Sequence, residues 1–210
     1  FNMNCIKHLL FACAFTFLAS VTVAQPVARI SQGQGTNMGP LLEYYVDSSK
    51  SLDLEQVKQK QFTRSNAEIL NLANLPFDVW IRFSLVNEDD DQLYLELDNA
   101  MIENLVIYET GNGANSKIFE GGFIKPFRER PIRSENFQFH LKMEKGKVHT
   151  SYIKAFSGFP MMIPVTVSSK ESFNWQNQRH NIFWGLYMGI IIFAFIYNLF
   201  IYSSVREKSY

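Results

Sequence analysis

Apolar and polar positions alternate repeatedly along residues 41–168. Within residues 79–86, Val79, Ile81, Phe83 and Leu85 alternate with Trp80, Arg82, Ser84 and Val86. Leu93, Leu95 and Leu97 alternate with Gln92, Tyr94 and Glu96. Phe137, Phe139, Leu141 and Met143 alternate with Gln138, His140 and Lys142, and Met161, Ile163, Val165 and Val167 with Met162, Pro164 and Thr166. A strand turns successive side chains to opposite faces, so period two marks strands buried on one side. Residues 41–46, 103–108, 117–119 and 148–156 are further strand candidates, and 52–60 reads as one short helix. Turn-forming clusters at 87–91, 111–113 and 144–146 separate the runs. Pro164 restricts its strand to an edge or a bulge. About eight strands without a long helical pattern predict a mainly β fold, a jelly-roll-like antiparallel β-sandwich. Its expected core is Val79, Ile81, Phe83, Leu85, Leu93, Leu95, Leu97, Leu105, Ile107, Phe137, Phe139, Leu141, Ile163 and Val165.

Two apolar runs flank this region. Leu9 to Val23 follows Lys7 and His8 and ends in Thr22-Val23-Ala24, the pattern of a signal peptide over residues 1–24 cleaved after Ala24. An uncleaved N-terminal anchor is the alternative. The second run, Phe183 to Tyr202, has 20 residues and no charge. As a helix it spans ~30 Å, the thickness of the bilayer's hydrocarbon. Trp184, Tyr187 and Tyr202 lie near its ends, and Arg206 and Lys208 follow it, which orients the C-terminus toward the cytoplasm. Asn198 within the run wants an interhelical partner, and Gly185 with Gly189 forms a G-x-x-x-G that permits close helix contact. Both suit a helix that packs in a bundle; a solitary anchor is the alternative. The expected division is signal peptide 1–24, Gly- and Pro-containing linker 25–40, exported β-sandwich 41–168, connector 169–182, transmembrane helix 183–202 and a cytoplasmic start at 203–210.

Charge changes the picture only by exclusion. Twenty basic residues balance twenty acidic ones. Removing residues 1–24 takes away Lys7 alone, which leaves 19 basic against 20 acidic, or −1. That balance argues against a nucleic-acid partner. Both cysteines, Cys5 and Cys13, precede Ala24, so the mature chain has neither a disulfide framework nor a Cys-based zinc site. No G-x-S-x-G or H-E-x-x-H occurs. His140 and His149 could meet across a hairpin, but two donors make a weak metal site. The acidic turn at 88–91 lacks the spacing of a calcium loop. No metal, cofactor or catalytic residue is therefore expected. Paired carboxylates leave an exported hydrolase as a third reading.

Candidate binding residues follow from the alternation. With the odd positions of 79–86 facing the core, Trp80 and Arg82 face outward. Tyr94 and Glu96 would do so on the neighbouring strand, and His140 on another. Aromatic faces beside an arginine and a carboxylate could bind a sugar. In the alternative, Trp80 packs under a loop or helix and Arg82 pairs with Glu96 across strands. The basic stretch 125–133 could meet an anionic ligand or lipid headgroups, or be a solvated loop balanced by Glu129 and Glu135.

The order of these features carries a resemblance. Trp80-Ile-Arg82-Phe-Ser-Leu-Val-Asn87 precedes a leucine-rich strand and Leu105-Val-Ile-Tyr108. After a long β-rich stretch, Gly185-Leu-Tyr187-Met-Gly189 opens a helix containing Tyr197-Asn198. The chain from about residue 40 to 210 resembles the bacterial seven-transmembrane receptors with diverse intracellular signalling modules (7TMR-DISM). It is similar to their type 2 extracellular domain followed by the first membrane helix. The resemblance implies a sensor domain like carbohydrate-binding modules, and a cytoplasmic output such as a histidine kinase or cyclic-nucleotide enzyme. The chain stops after one helix, so it is expected to be an N-terminal portion. The expected function is extracytoplasmic ligand sensing at the bacterial inner membrane, with residues 25–182 outside. Expected partners are a small molecule or glycan, or a partner periplasmic domain, with the lipid bilayer, the receptor's remaining helices and a second copy of the chain. The alternative is a single-pass anchored carbohydrate-binding or adhesion protein without signalling output.

Overall fold

The computed structural model describes residues 25–89, 92–111 and 114–205. The expected signal peptide and residues 206–210 lie outside them. The fold is organised on β6 (Asp78–Asn87), whose ten residues alternate between two buried faces. One edge of β6 pairs antiparallel with β11 (Val148–Phe156). The other edge is divided. Its first half pairs antiparallel with β3 (Glu43–Asp47), and its second half pairs parallel with β1 (Val27–Ile30). β4 (Thr63–Arg64) extends the sheet beyond β3, and β8 (Asn104–Gly111) and β9 (Ala114–Gly121) extend it beyond β11. A second sheet runs in the order β10 (Phe137–Leu141), β7 (Leu93–Leu97), β13 (Val165–Ser169) and β2 (Gly35–Asn37). β5 (Leu70–Asn71) and β12 (Met162–Ile163) form a separate short pair. The sheets enclose one core, and all fourteen expected core residues lie in it, none more than 2% exposed.

Several expectations are corrected. Residues 25–40 are not a linker: they carry β1 and β2, and Ile30 and Met38 are fully buried. The sandwich is not wholly antiparallel, because β1 runs parallel to β6. Thirteen strands are present among the described residues, several only two to four residues long. Pro164 divides the run 161–167 into β12 and β13, and its carbonyl accepts the Asp98 N–H at 3.1 Å.

The helix α1 (Leu54–Lys58) is short and held at its N-terminus. Asp53 accepts the Gln56 N–H at 2.8 Å while Gln56 accepts the Asp53 N–H at 3.0 Å, a capping box. The buried Asp47 carboxylate shapes the approach by accepting the Ser49 and Leu52 N–H groups, each at 3.0 Å. Burial alone would raise the Asp47 pKa, but hydrogen bonds from Ser49 and Leu52 outweigh it and hold the group below its ordinary value. The anchored turn presses Leu54 and Val57 onto the outer face of the large sheet.

The second helix, α2 (Lys170–Val205), follows β13 without a break and has 36 residues. The expected connector and transmembrane segment are thus one helix, which also takes in residues 203–205. It is long and apolar enough to cross a membrane.

One interior position makes stability depend on pH. Glu109 shares the core-facing side of β8 with Leu105 and Ile107, and Ser151 of β11 stands opposite it. Glu109 Oε1 and Ser151 Oγ are buried without a hydrogen-bond partner. Burial pushes the Glu109 carboxyl up to about 7, against the opposing Lys142 N–H and charge. A carboxyl whose pKa rises on folding contributes fully at low pH and loses that contribution as pH rises through its folded value. After allowance for solvent screening, wild type should lose roughly 2 kcal/mol between about pH 5 and 8 on this account. Glu109→Gln should remove that loss and raise the melting temperature at pH 8. Equal pH slopes for the two proteins in thermal melts would contradict the assignment. Burial holds His149 below its ordinary value, so its opposite contribution is lost only as pH falls below about 6.5.

Candidate functional site

The five expected binding residues divide between opposite faces of the sandwich. The neighbours of β6 are β1, β3 and β11, whereas β7 belongs to the other sheet. Tyr94 and Glu96 are therefore not beside Trp80 and Arg82.

On the large sheet, Trp80 is fully buried beneath α1, against Leu54, Val57 and Tyr152. Its ring stacks on Tyr108 with centroids 5.9 Å apart, and Lys154 Nζ lies 5.4 Å from the ring centre. Arg82 pairs with Glu43, not Glu96: Arg82 Nε donates to Glu43 Oε2 at 2.6 Å. The guanidinium also lies 4.2 Å from the centre of the Phe62 ring. Trp80 and Arg82 thus hold α1 and its flanking chain onto the sheet. Beside them is a cavity of about 480 Å³ whose wall includes Tyr108, Lys117, Glu120, Lys125 and Lys154. Two of its cations are already engaged, Lys154 with Asp78 at 2.9 Å and Lys117 with Glu120 at 2.5 Å.

On the small sheet, Tyr94 and His140 stand opposite each other on β7 and β10. Phe173 of α2 stacks on Tyr94 with centroids 4.1 Å apart and planes 13° apart. His140 meets the same tyrosine edge-on at 4.7 Å. These aromatic rings seat the first turn of α2 on the sheet. Further along, Glu96 Oε1 accepts Gln138 Nε2 at 2.9 Å and Asn136 Nδ2 at 3.2 Å.

Glu96 and Gln138 open into a groove between the small sheet and α2. It comprises two cavities, about 450 and 370 Å³, that share Ser134, Glu135, Gln138, Asn177 and His180. Trp184 closes one end, donating from Nε1 to His180 Nε2 at 2.7 Å. Carboxylates, carboxamides, an imidazole and an indole therefore converge on one polar cleft. Among the described residues no group of three His, Cys, Asp or Glu side chains could hold a metal ion.

Sequence reasoning missed Phe173, Asn177 and His180, and took Trp184 only as an aromatic near the end of the membrane run. They recur at helical spacing on one face, but within and just after the segment expected as a connector. Phe173, Asn177 and His180 precede the uncharged run, in polar turns without an apolar stripe. Within the apolar part of α2, Gly185 and Gly189 face open space. Asn198 Nδ2 donates to the Ala194 carbonyl at 2.7 Å, so its own helix satisfies one of its donors.

No curated protein shows a significant match to the chain. Among solved structures it is similar to a β-glucosidase from Kluyveromyces marxianus in complex with glucose, at 15% identity and a TM-score of 0.41. The match covers 65% of this chain and 16% of that enzyme, so the chain spans under a fifth of its length. Residues 39–169 match the model of the family described as 7TMR-DISM extracellular 2. The match takes in more than half of the chain and ends where β13 meets α2. The chain belongs to the 7TMR-DISM extracellular 2 family.

Proposed function

We propose that the chain is the ligand-sensing, extracytoplasmic part of a bacterial inner-membrane receptor, joined to its first membrane helix. The observation that carries this reading is the polar groove between Gln138 on the small sheet and Asn177, His180 and Trp184 on α2. A ligand in contact with both walls favours one orientation of sheet against helix. It shifts the receptor by its differential affinity for the two states. The lining suits a glycan or a similar polyhydroxylated molecule. Carboxylates accept from hydroxyls, carboxamides donate to and accept from them, and the Trp184 indole can cover a C–H face. The domain binds and does not catalyse in this reading. Arg206 and Lys208 orient the C-terminus toward the cytoplasm. Gly185 and Gly189 offer a surface to the receptor's remaining helices.

The test is a titration of the full chain in lipid nanodiscs with a panel of soluble oligosaccharides, read by the change in Trp184 fluorescence over the constant emission of the buried Trp80, in a Trp175→Phe background. At least one saccharide should change the emission. Gln138→Ala should weaken it ~10-fold, the loss of about one hydrogen bond, in a protein that still folds but is about 1 kcal/mol less stable, because Gln138 also donates to Glu96. Absence of binding across the panel, or binding indifferent to Gln138→Ala, would contradict the assigned site. Binding that leaves the sheet–helix distance unchanged would favour a tethered carbohydrate-binding protein without signalling output.

A further inference from the structure

The exposed apolar side chains of the sandwich are not scattered. Apart from Val27, Ile69 and Val148, those that precede α2 are Met101, Phe123, Ile124, Phe127, Phe159 and Met162. All six lie in or beside the connections at one end of the sheets. Hydrogen bonds tie these connections together. Phe123 N–H donates to the Ile102 carbonyl at 2.7 Å, Ser157 Oγ to the Met101 carbonyl at 3.2 Å, and Asn99 Nδ2 to the Met162 carbonyl at 2.7 Å. The tips form one apolar patch. Contiguous exposed apolar surface on a soluble domain marks a contact with something else.

The course of α2 shows what that contact is. The helix begins with Phe173 on Tyr94 and passes along the small sheet toward its Leu97–Phe137 end. There Ile132 and Arg133, from the connection between β9 and β10, line the groove together with Asn181 and Trp184. Trp184 stands at the start of the uncharged run 183–202. The apolar patch therefore lies at the end of the sandwich toward which the membrane-crossing part of the helix emerges. The same connection exposes Lys125, Arg128 and Arg133 among its aromatic tips. Arg130 is turned inward, donating to the Ser134 and Glu135 carbonyls, each at 2.7 Å. Exposed aromatics interleaved with cations match a headgroup region, where rings sit at the boundary and cations meet phosphates.

We infer that this end of the sandwich rests on the bilayer that α2 crosses, with Phe123, Ile124 and Phe127 entering the headgroup layer. The inference rests on the reading of α2 as a membrane helix. The domain then has two attachments, the helix and the loop tips, and together they fix its tilt. A ligand that moved the sandwich against α2 would have to lift or slide these tips.

Single spin labels on the full chain in nanodiscs test this, with Cys5 and Cys13 replaced by serine. The labels are placed by Ile124→Cys at the patch, Val148→Cys at an exposed position away from it, and Ile192→Cys in the helix. Collision with oxygen and with a water-soluble nickel chelate is measured in phosphatidylcholine alone and with added phosphatidylglycerol. The label at 124 should be several-fold less accessible to nickel than the label at 148. Protection in both lipid mixtures, or only in the anionic one, supports the docking. Equal accessibility at 124 and 148 in both mixtures, with 192 buried in lipid, overturns it alone. A label at 192 that is open to nickel overturns the membrane reading itself.

Discussion

Trp80→Ala is expected to lower the stability of the sandwich by about 3–5 kcal/mol, the range for removing a large aromatic side chain from a core. Trp80 has no exposed surface, and its ring is covered by Leu54, Val57, Tyr108 and Tyr152. Truncation leaves a void under α1, which has only five residues and cannot persist without the surface it rests on. The loss should therefore spread to the segment that α1 caps, including the Arg82–Glu43 pair beneath Phe62. Trp80→Phe keeps much of the packing and should cost less than half as much. Thermal and urea melts of the three proteins check this. A Trp80→Ala protein as stable as wild type would show that the residue is free for a ligand and not committed to the fold.

The second large effect is expected at the joint. Phe173 is 7% exposed and stacked flat on Tyr94. Phe173→Ala removes the main apolar contact between the start of α2 and the sheet, at a cost of about 2–3 kcal/mol in docking. That raises the undocked population ~30–160-fold. Because Tyr94 also carries the edge-on contact with His140, His140→Ala should act in the same direction with a smaller effect. The sandwich core lies on the far side of the small sheet, so its melting should change little. The expected change is in the angle that the helix holds to the sheet.

The core was legible because its physical rule is local. A strand between a packed face and an outer face alternates strictly, and the fourteen expected positions followed from that alone. The outer faces were not legible, because facing away from the core is not the same as facing water. Trp80 faces outward, but α1 covers it with two residues, Leu54 and Val57, which leave almost no periodic signal. Tyr94 and Glu96 follow Trp80 and Arg82 closely in sequence, which suggests a hairpin. The chain instead crosses to the other sheet after Asn87, and Arg82 takes its partner from Glu43 on β3. β1 and β2 were hidden for a different reason. They are four and three residues long, and they are stabilised by pairing with strands distant in the sequence. Their glycine- and proline-containing surroundings read as linker. In α2, the uncharged run from Phe183 revealed only the half suited to lipid. The preceding turns are polar because they line the groove and ride along the sheet, and polar helix without a stripe reads as a connector.

The central claim is that Phe173 docks α2 on the small sheet at a defined angle, which a ligand in the groove between them can shift. The measurement that tests it most directly is the distance distribution between spin labels at Val148→Cys and Tyr202→Cys on the full chain in nanodiscs, by pulsed dipolar spectroscopy. Wild type should give a single narrow distribution, and Phe173→Ala should broaden it. A broad distribution in wild type, unchanged by Phe173→Ala, would mean that the domain swings freely on its helix, and would contradict the account.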